Sequence, residues 1–558
     1  MRRTGTMLAI VMLTSGSAFA QNISSARIQE LIKEAAARAA KNDQQQPATT
    51  PGAARVRVPL TLDDAVKLAL DRNLDIAVQR LNPEINDIAI TSVRSVYNPT
   101  LTSSVGPQSV TALPTSQLQL GTGGAATVTS TMNYNGGIAQ SIPWGGGSFA
   151  ATLNNFKRTT NSSNALFNPQ FTSTWSFAYT QPLMRNFTID TTRRTLQVTR
   201  LNRDISDVQL KATITNTLSN VRNAYWDYVF AVQSVDVLQQ SVNLADQLVK
   251  DNQTRVEVGT MALIDVVQAQ SQAATARQNL AAAVQTMRTS ELALKRLIVN
   301  GTTDPNWNAQ LDPIDRPEFA PQPIDIEAAI RRALSERTDL DIAKKNMAAN
   351  DVTLKYLRDQ LKPQADLAVS YIPQGVGGTE IVRSPTITAN GTNIQSTEDL
   401  GIGNSFSTLF HNTYPQWSAQ INFSYPLGTS SQEASVARAR VQLNQVQAQV
   451  KQIELQVATD VTNAAVTVQT NADRVQAAQA ARELAQKTME AEQSKFEVGM
   501  STNYNVIQTQ RDLATAQSNE LQAILNYRKS LVELERLQQT TLTNLNITVL
   551  TSTAAVGQ

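Results

Sequence analysis

The chain has 558 residues, with 48 basic and 46 acidic side chains, a formal charge of +2, no cysteine and a single histidine. A charge this balanced, spread along the chain, gives no basic face for nucleic acid. Without cysteine there is no disulfide framework, no thiolate metal site and no acylated lipoprotein N-terminus.

Residues 1–20 read as a secretory signal peptide. Arg2 and Arg3 precede an apolar core from Met7 to Leu13, and Ala18-Phe19-Ala20 offers a small-residue cleavage site. The apolar core is too short to span a bilayer. Residues 21–58 form an N-terminal extension: an amphipathic stretch from Ile23 to Ala40, then a Gln-, Pro-, Thr- and Gly-rich linker. A first unit, 59–301, begins with Leu62-Asp63-Asp64-Ala65-Val66-Lys67-Leu68-Ala69-Leu70, and Tyr97-Asn98-Pro99 closes a helix and opens a strand. Strands are expected within about 98–182. Thr131–Ile142 and Ser148–Phe156 flank the turn Pro143-Trp144-Gly145-Gly146-Gly147, as a hairpin outside the membrane or as additional wall strands in the extra segment 107–170. Trp175–Thr180 then leads to Gln181-Pro182-Leu183.

From Phe187 to Val258 and from Thr260 to Asn300 there is neither Gly nor Pro, and long helices are expected over 187–300. A helix of about 68 residues is about 100 Å long, more than a globular domain needs. After a linker, 302–322, the order repeats in a second unit, 323–540, with strands within about 363–427 and long helices over 429–540; a tail, 541–558, follows. The start Ile326-Glu327-Ala328-Ala329-Ile330-Arg331-Arg332-Ala333-Leu334 matches the first unit at a spacing of 264, as Pro363 matches Pro99. Arg255-Val256-Glu257-Val258-Gly259-Thr260 is answered by Lys495-Phe496-Glu497-Val498-Gly499-Met500 at a spacing of 240, so the first copy is longer by 24 residues. The helices carry many Ala and Gln and lack dense Leu seams, which suits a tube of helices better than the alternative of a fibrous coiled coil.

Trp417-Ser418-Ala419-Gln420-Ile421-Asn422-Phe423-Ser424-Tyr425 alternates apolar and polar residues, one face for lipid and one for water. Trp175, Phe177 and Tyr179 repeat the pattern in the first copy, so the expected lipid-facing aromatics are these three with Trp417, Phe423 and Tyr425. This is the transmembrane β-barrel pattern, a soluble sandwich being the alternative. Four such strands per chain cannot close a barrel alone, and three chains would share one of about twelve strands. No nucleophile, acid and base constellation points to an enzyme, no cofactor or metal site is expected, and His411 sits in a Ser-, Asn- and Thr-rich stretch read as a solvated loop.

In its paired unit starts, the strand ends Pro182-Leu183 and Pro426-Leu427, and the doubled turns Val258-Gly259 and Val498-Gly499, the chain resembles the outer membrane efflux proteins of the TolC family over roughly residues 60–540. The resemblance implies a mainly α fold with a β-barrel part. In it, a trimeric α-barrel of long helices continues into a shared outer-membrane β-barrel of twelve strands and carries an equatorial belt of shorter helices and termini. It implies a passive exit duct of a tripartite efflux pump or type I secretion system. The duct would lie in the outer membrane of a Gram-negative type envelope and extend into the periplasm, as a homotrimer that meets outer membrane lipid, a periplasmic adaptor and an inner-membrane pump. It assigns adaptor docking at the periplasmic tip to Arg255, Val256, Val258, Gly259, Thr260, Lys495, Val498, Gly499 and Met500. It places the pore aperture at Asp265, Ser501, Asn505 and Gln508, with Phe496 as a further apolar constriction. Acidic residues common in the family at the positions of Asn505 and Gln508, and a basic residue at Ser501, are replaced here, which implies a weaker cation preference and a looser latch. The rival reading is a secreted or periplasmic coiled-coil structural protein.

Overall fold

The computed structural model describes residues 57–113, 125–316, 319–321, 323–388, 391–428 and 430–548. The signal peptide and the stretch Ile23–Ala40 lie outside the described residues. The chain divides into two units, and the larger, Val58–Trp307 with Leu311–Gln558, holds the architecture that follows.

Helices α1 (Leu62–Arg72) and α2 (Leu74–Arg94) open the first repeat, and α5 (Ile326–Glu336) and α6 (Thr338–Asp359) open the second. Their starts are capped alike, since Thr61 Oγ1 accepts from the Asp64 N–H at 3.1 Å and Asp325 Oδ1 from the Ala328 N–H at 3.0 Å. Next come the long hairpins, α3 (Thr191–Glu257) with α4 (Leu263–Ile298), and α8 (Ser431–Glu497) with α9 (Asn503–Leu537). Both α3 and α8 have 67 residues and extend about 100 Å.

Small residues let the helices approach: Val242 and Ala245 of α3 pack on Ala273 and Ala276 of α4. One core lies around Tyr225, Tyr228, Leu218 and Leu294, the other around Val457, Val461, Val468 and Tyr527. The buried hydroxyls find partners, Tyr225 donating to the Leu60 carbonyl at 3.1 Å and Tyr527 to the Ala320 carbonyl at 2.9 Å. The repeats are joined where α3 meets α9, by Lys529 on Asp227 at 2.9 Å, by the Arg222–Glu535 pair, and by the Arg528 guanidinium over the Trp226 ring at 5.6 Å.

Besides a small two-stranded sheet, seven of the described strands form one sheet. From the first repeat come β1 (Thr100–Ala112), β2 (Thr127–Ser141), β3 (Ser148–Thr160) and β4 (Phe167–Pro182); from the second come β5 (Gln364–Thr388), β6 (Gly391–Asp399) and β7 (Tyr414–Ser424). The order is β1-β2-β3-β4-β5-β6, and β7 pairs with the lower part of β5, Gln364 facing Ser424, while β6 pairs with its upper part. Against the four strands expected per chain, the count being open for the extra segment 107–170, the sheet has seven among the described residues. β1 starts where Tyr97-Asn98-Pro99 was expected to open a strand, and the strand for which the sequence offered no separate signal is β6. The segments Thr131–Ile142 and Ser148–Phe156, left open as outside hairpin or wall, fall in β2 and β3 of this same sheet.

A short helix, α7 (Gly401–Phe410), lies against the sheet, seated where Gly375 and Gly377 leave the backbone of β5 bare. Its Ser405 Oγ is 3.0 Å from Ser173 Oγ of β4. The stretch before His411 is helix α7 rather than loop, whereas His411 itself is exposed in the turn that follows, as expected; it caps the C-terminus of α7, its Nδ1 2.7 Å from the Ser407 carbonyl.

Candidate functional site

Two parts of the molecule carry the sequence-predicted residues: the far ends of the hairpins and one face of the sheet. At the first hairpin end, α3 stops at Val258, Gly259 takes φ +77°, and the Thr260 N–H closes back on the Arg255 carbonyl at 2.9 Å. The second end repeats this, with Gly499 at φ +79° and the Met500 N–H on the Lys495 carbonyl at 2.8 Å. Glycine stands there because a side chain disfavours the left-handed backbone that ends a helix so. Val258, Val498 and Met500 are exposed, as are Leu263 and Ile264 just beyond the first turn and Tyr504 beyond the second. The two ends together present apolar side chains to solvent.

The ends are also tied to each other. Arg255 donates from Nη1 to the Phe496 carbonyl at 3.1 Å, and its guanidinium lies 4.4 Å from the centre of the Phe496 ring. Phe496 is 5% exposed and packs with Leu248, Ala269, Val506 and Ile507. Its ring fills the seam between the hairpins of one chain, so its placement lends no support to an apolar constriction. Below it, Asn252 donates to Asn503 Oδ1 at 2.8 Å, and Asn503 donates to the Asp265 carbonyl at 3.1 Å. The Asp265 side chain itself is half-buried.

Ser501 and Asn505 belong to a cluster that sequence reasoning missed. Ser501 donates to the Glu492 carboxylate, which also accepts from Lys495 Nζ at 3.2 Å, and Asn505 Nδ2 lies 3.5 Å from Ser501 Oγ. These hydrogen bonds, that from Ser501 first, hold the Glu492 carboxyl below the ordinary carboxylate range. Gln508 is spent on its own helix, donating to Asp512 at 2.9 Å. Nothing in the local sequence marks Glu492, because its partner lies nine positions on, across the turn.

The register of the sheet puts the expected aromatics on one face. Phe177 stands opposite Tyr371, Tyr371 opposite Trp417, and Ala365 opposite Phe423, while Tyr179 is paired with Val369. The Trp175 and Phe177 rings stack at 5.5 Å, and Tyr425 follows directly on β7. The same face continues through Leu153 and Ala151 of β3, Ile138 and Tyr134 of β2, and Leu101 and Val105 of β1. On the opposite face lie Thr102, Asn135, Asn154, Thr174, Ser370 and Gln420. An apolar face against a polar one is what a wall between lipid and water requires. Among the described residues no helix is long and apolar enough to cross a membrane.

A family model described as outer membrane efflux protein matches residues 149–300 and 329–538. The matched segments contain all four long helices and strands β4, β5 and β7 with nearly all of β3; β1 and β2 precede them. No curated protein matches the sequence. Among solved structures, the Campylobacter jejuni CmeC outer membrane channel aligns with a TM-score of 0.60 at 14% identity, covering 87% of this chain and 88% of that one. A membrane protein from Pseudomonas aeruginosa aligns with a TM-score of 0.61 at 14% identity, covering 86% and 90%. The Vibrio cholerae outer membrane protein VceC aligns at 0.60 and 12% identity, covering 86% and 95%. At these identities the likeness is one of fold.

Proposed function

The chain belongs to the outer membrane efflux protein family, and from that premise we propose that three copies form a passive exit duct whose hairpin ends receive a periplasmic adaptor joined to an inner-membrane pump. The molecule is an outer-membrane efflux channel of that family; the copy number, the partners and service to a tripartite pump or a type I secretion system are what the proposal adds. One observation carries it: a single chain joins a sheet with one apolar and one polar face to two helix hairpins about 100 Å long that end in matched glycine turns. A sheet of this kind is stable in lipid only when closed, and one chain does not close it.

The docking role of Arg255, Val256, Val258, Gly259, Thr260, Lys495, Val498, Gly499 and Met500 is supported by the exposed apolar side chains at both turns, the kind of patch that marks a protein partner. Asp265, Ser501, Asn505 and Gln508 stand just beyond those turns, where three copies would bring them around a common axis. The coiled-coil reading leaves the aromatic face of the sheet without a purpose. Mass determination and planar-bilayer recording on the same detergent-purified sample test the proposal. A trimer with stable conductance is expected; a monodisperse monomer without conductance would overturn it.

A further inference from the structure

Six of the seven strands, β1 to β5 and β7, form an unbroken antiparallel run. They share a base at the end nearest the helices: Thr100 pairs with Ala139, Ser141 with Ser148, Pro182 with Asp366, and Gln364 with Ser424. Each has at least the 11 residues of β7, and a tilted strand of about ten residues crosses a membrane. The two strands that precede the family match, β1 and β2, have 13 and 15 residues and extend the apolar face with Leu101, Val105, Tyr134 and Ile138. They are built as wall.

The edges of this run are β1 and β7. Every residue of β7 is exposed, and all but one of β1. In lipid an open strand edge leaves backbone donors and acceptors unpaired, which a membrane wall does not tolerate. β1 leads away from the helices and β7 returns to them, so β7 of one copy meets β1 of the next antiparallel. Their apolar residues, Leu101 and Val105 on one and Trp417, Ile421 and Phe423 on the other, then continue a single lipid face.

We infer that β1 is the seam strand, that it pairs with β7 of a second copy of this chain, and that each copy adds six strands to the barrel. This rests on the exit-channel reading above. A trimer then closes eighteen strands rather than the twelve implied by the resemblance. With strands about 4.8 Å apart and tilted about 40°, such a barrel is about 36 Å across, against about 24 Å for twelve strands. Its lumen is lined by polar residues such as Thr102, Asn135, Asn154, Thr174 and Gln420, with Arg158 and Asp366 on the same face.

Disulfide trapping locates the seam, because the chain has no cysteine of its own. Thr102→Cys or Ser104→Cys on β1 is combined with Gln420→Cys or Asn422→Cys on β7, all on the lumen face. As the competing seam, Asn154→Cys on β3 is combined with the same β7 variants. Cross-linked ladders from at least one β1–β7 combination and none from β3–β7 are expected, together with a barrel of about 36 Å in projections of the unmodified protein. Ladders from β3–β7 alone, or a barrel of about 24 Å, would overturn the inference. The mass of the same sample reports separately on the copy number: a ladder through β1–β7 with a mass other than a trimer leaves six strands per copy standing and defeats the trimer.

Discussion

Arg255 is where one side chain ties the two hairpin ends together. It reaches from the last turn of α3 to the Phe496 carbonyl in the last turn of α8, the end where a helix gathers partial negative charge, and its guanidinium lies 4.4 Å from the centre of the Phe496 ring. A guanidinium held over a ring and hydrogen-bonded in this way contributes about 2 kcal/mol. Arg255→Ala should therefore favour an open tip by roughly thirty-fold, seen in bilayers as longer or larger openings. Arg255→Lys keeps the charge without the forked guanidinium and should fall between. Wild-type gating in Arg255→Ala would mean that this contact does not hold the tip. Close by, Glu492 is held by Ser501 and Lys495 in its charged form. Its folded-state pKa lies below the ordinary value, so the contact contributes above the ordinary carboxylate range and is lost as pH falls through the depressed pKa. Acid below that range, or Glu492→Gln at neutral pH, should loosen the tip alike.

At the scale of elements, α7 depends on two glycines beneath it. A Cβ on Gly375 would stand 1.8 Å from the Ser405 carbonyl oxygen, and one on Gly377 2.4 Å from that of Gly401. Backbone cannot yield there, so Gly375→Ala must lift the helix, as overpacking that costs about 1–3 kcal/mol or more. Limited proteolysis should then cut within 401–413 in the folded oligomer, whereas Gly106→Ala, whose Cβ meets nothing within 4 Å, should leave the digestion pattern unchanged. Equal resistance in both variants would show that α7 is held by other contacts. The same helix shows where sequence reasoning ends. Gly401-Ile402-Gly403-Asn404-Ser405 is a poor helix former alone, and only the bare strip on β5 gives it a seat. β7 was legible because every second residue is apolar or aromatic, and α3 and α8 because 67 residues pass without a breaker. The glycine turns were legible because a left-handed helix end is a local demand. The first copy's excess of 24 residues lies between Pro99 and Asp190, where the sheet holds four strands, yet an edge strand such as β1 has too few buried neighbours to enforce alternation.

For the whole molecule, the proposed aperture takes its character from copying one chain around the axis of the proposed trimer. Asn505 sits in the first turn of α9, exposed, its amide 3.5 Å from Ser501 Oγ. In a trimer three such amides form a neutral ring, and Asn505→Asp converts it into three carboxylates. Charges within a Debye length of about 8–10 Å add in the field that a passing ion meets. The potassium-to-chloride permeability ratio should accordingly rise by about twofold or more, read as a shift in reversal potential under a salt gradient. The new carboxylate also comes to share Ser501 with Glu492, and like charges this close raise one another's pKa. The gain in selectivity should thus fade as the pH is lowered through the carboxylate range, and the Ser501–Glu492 contact should weaken with it. Reversal potentials identical to wild type at neutral pH would place Asn505 off the conduction path, and the aperture would then have to be sought at Asp265, the carboxylate that the first hairpin already carries at the matching position.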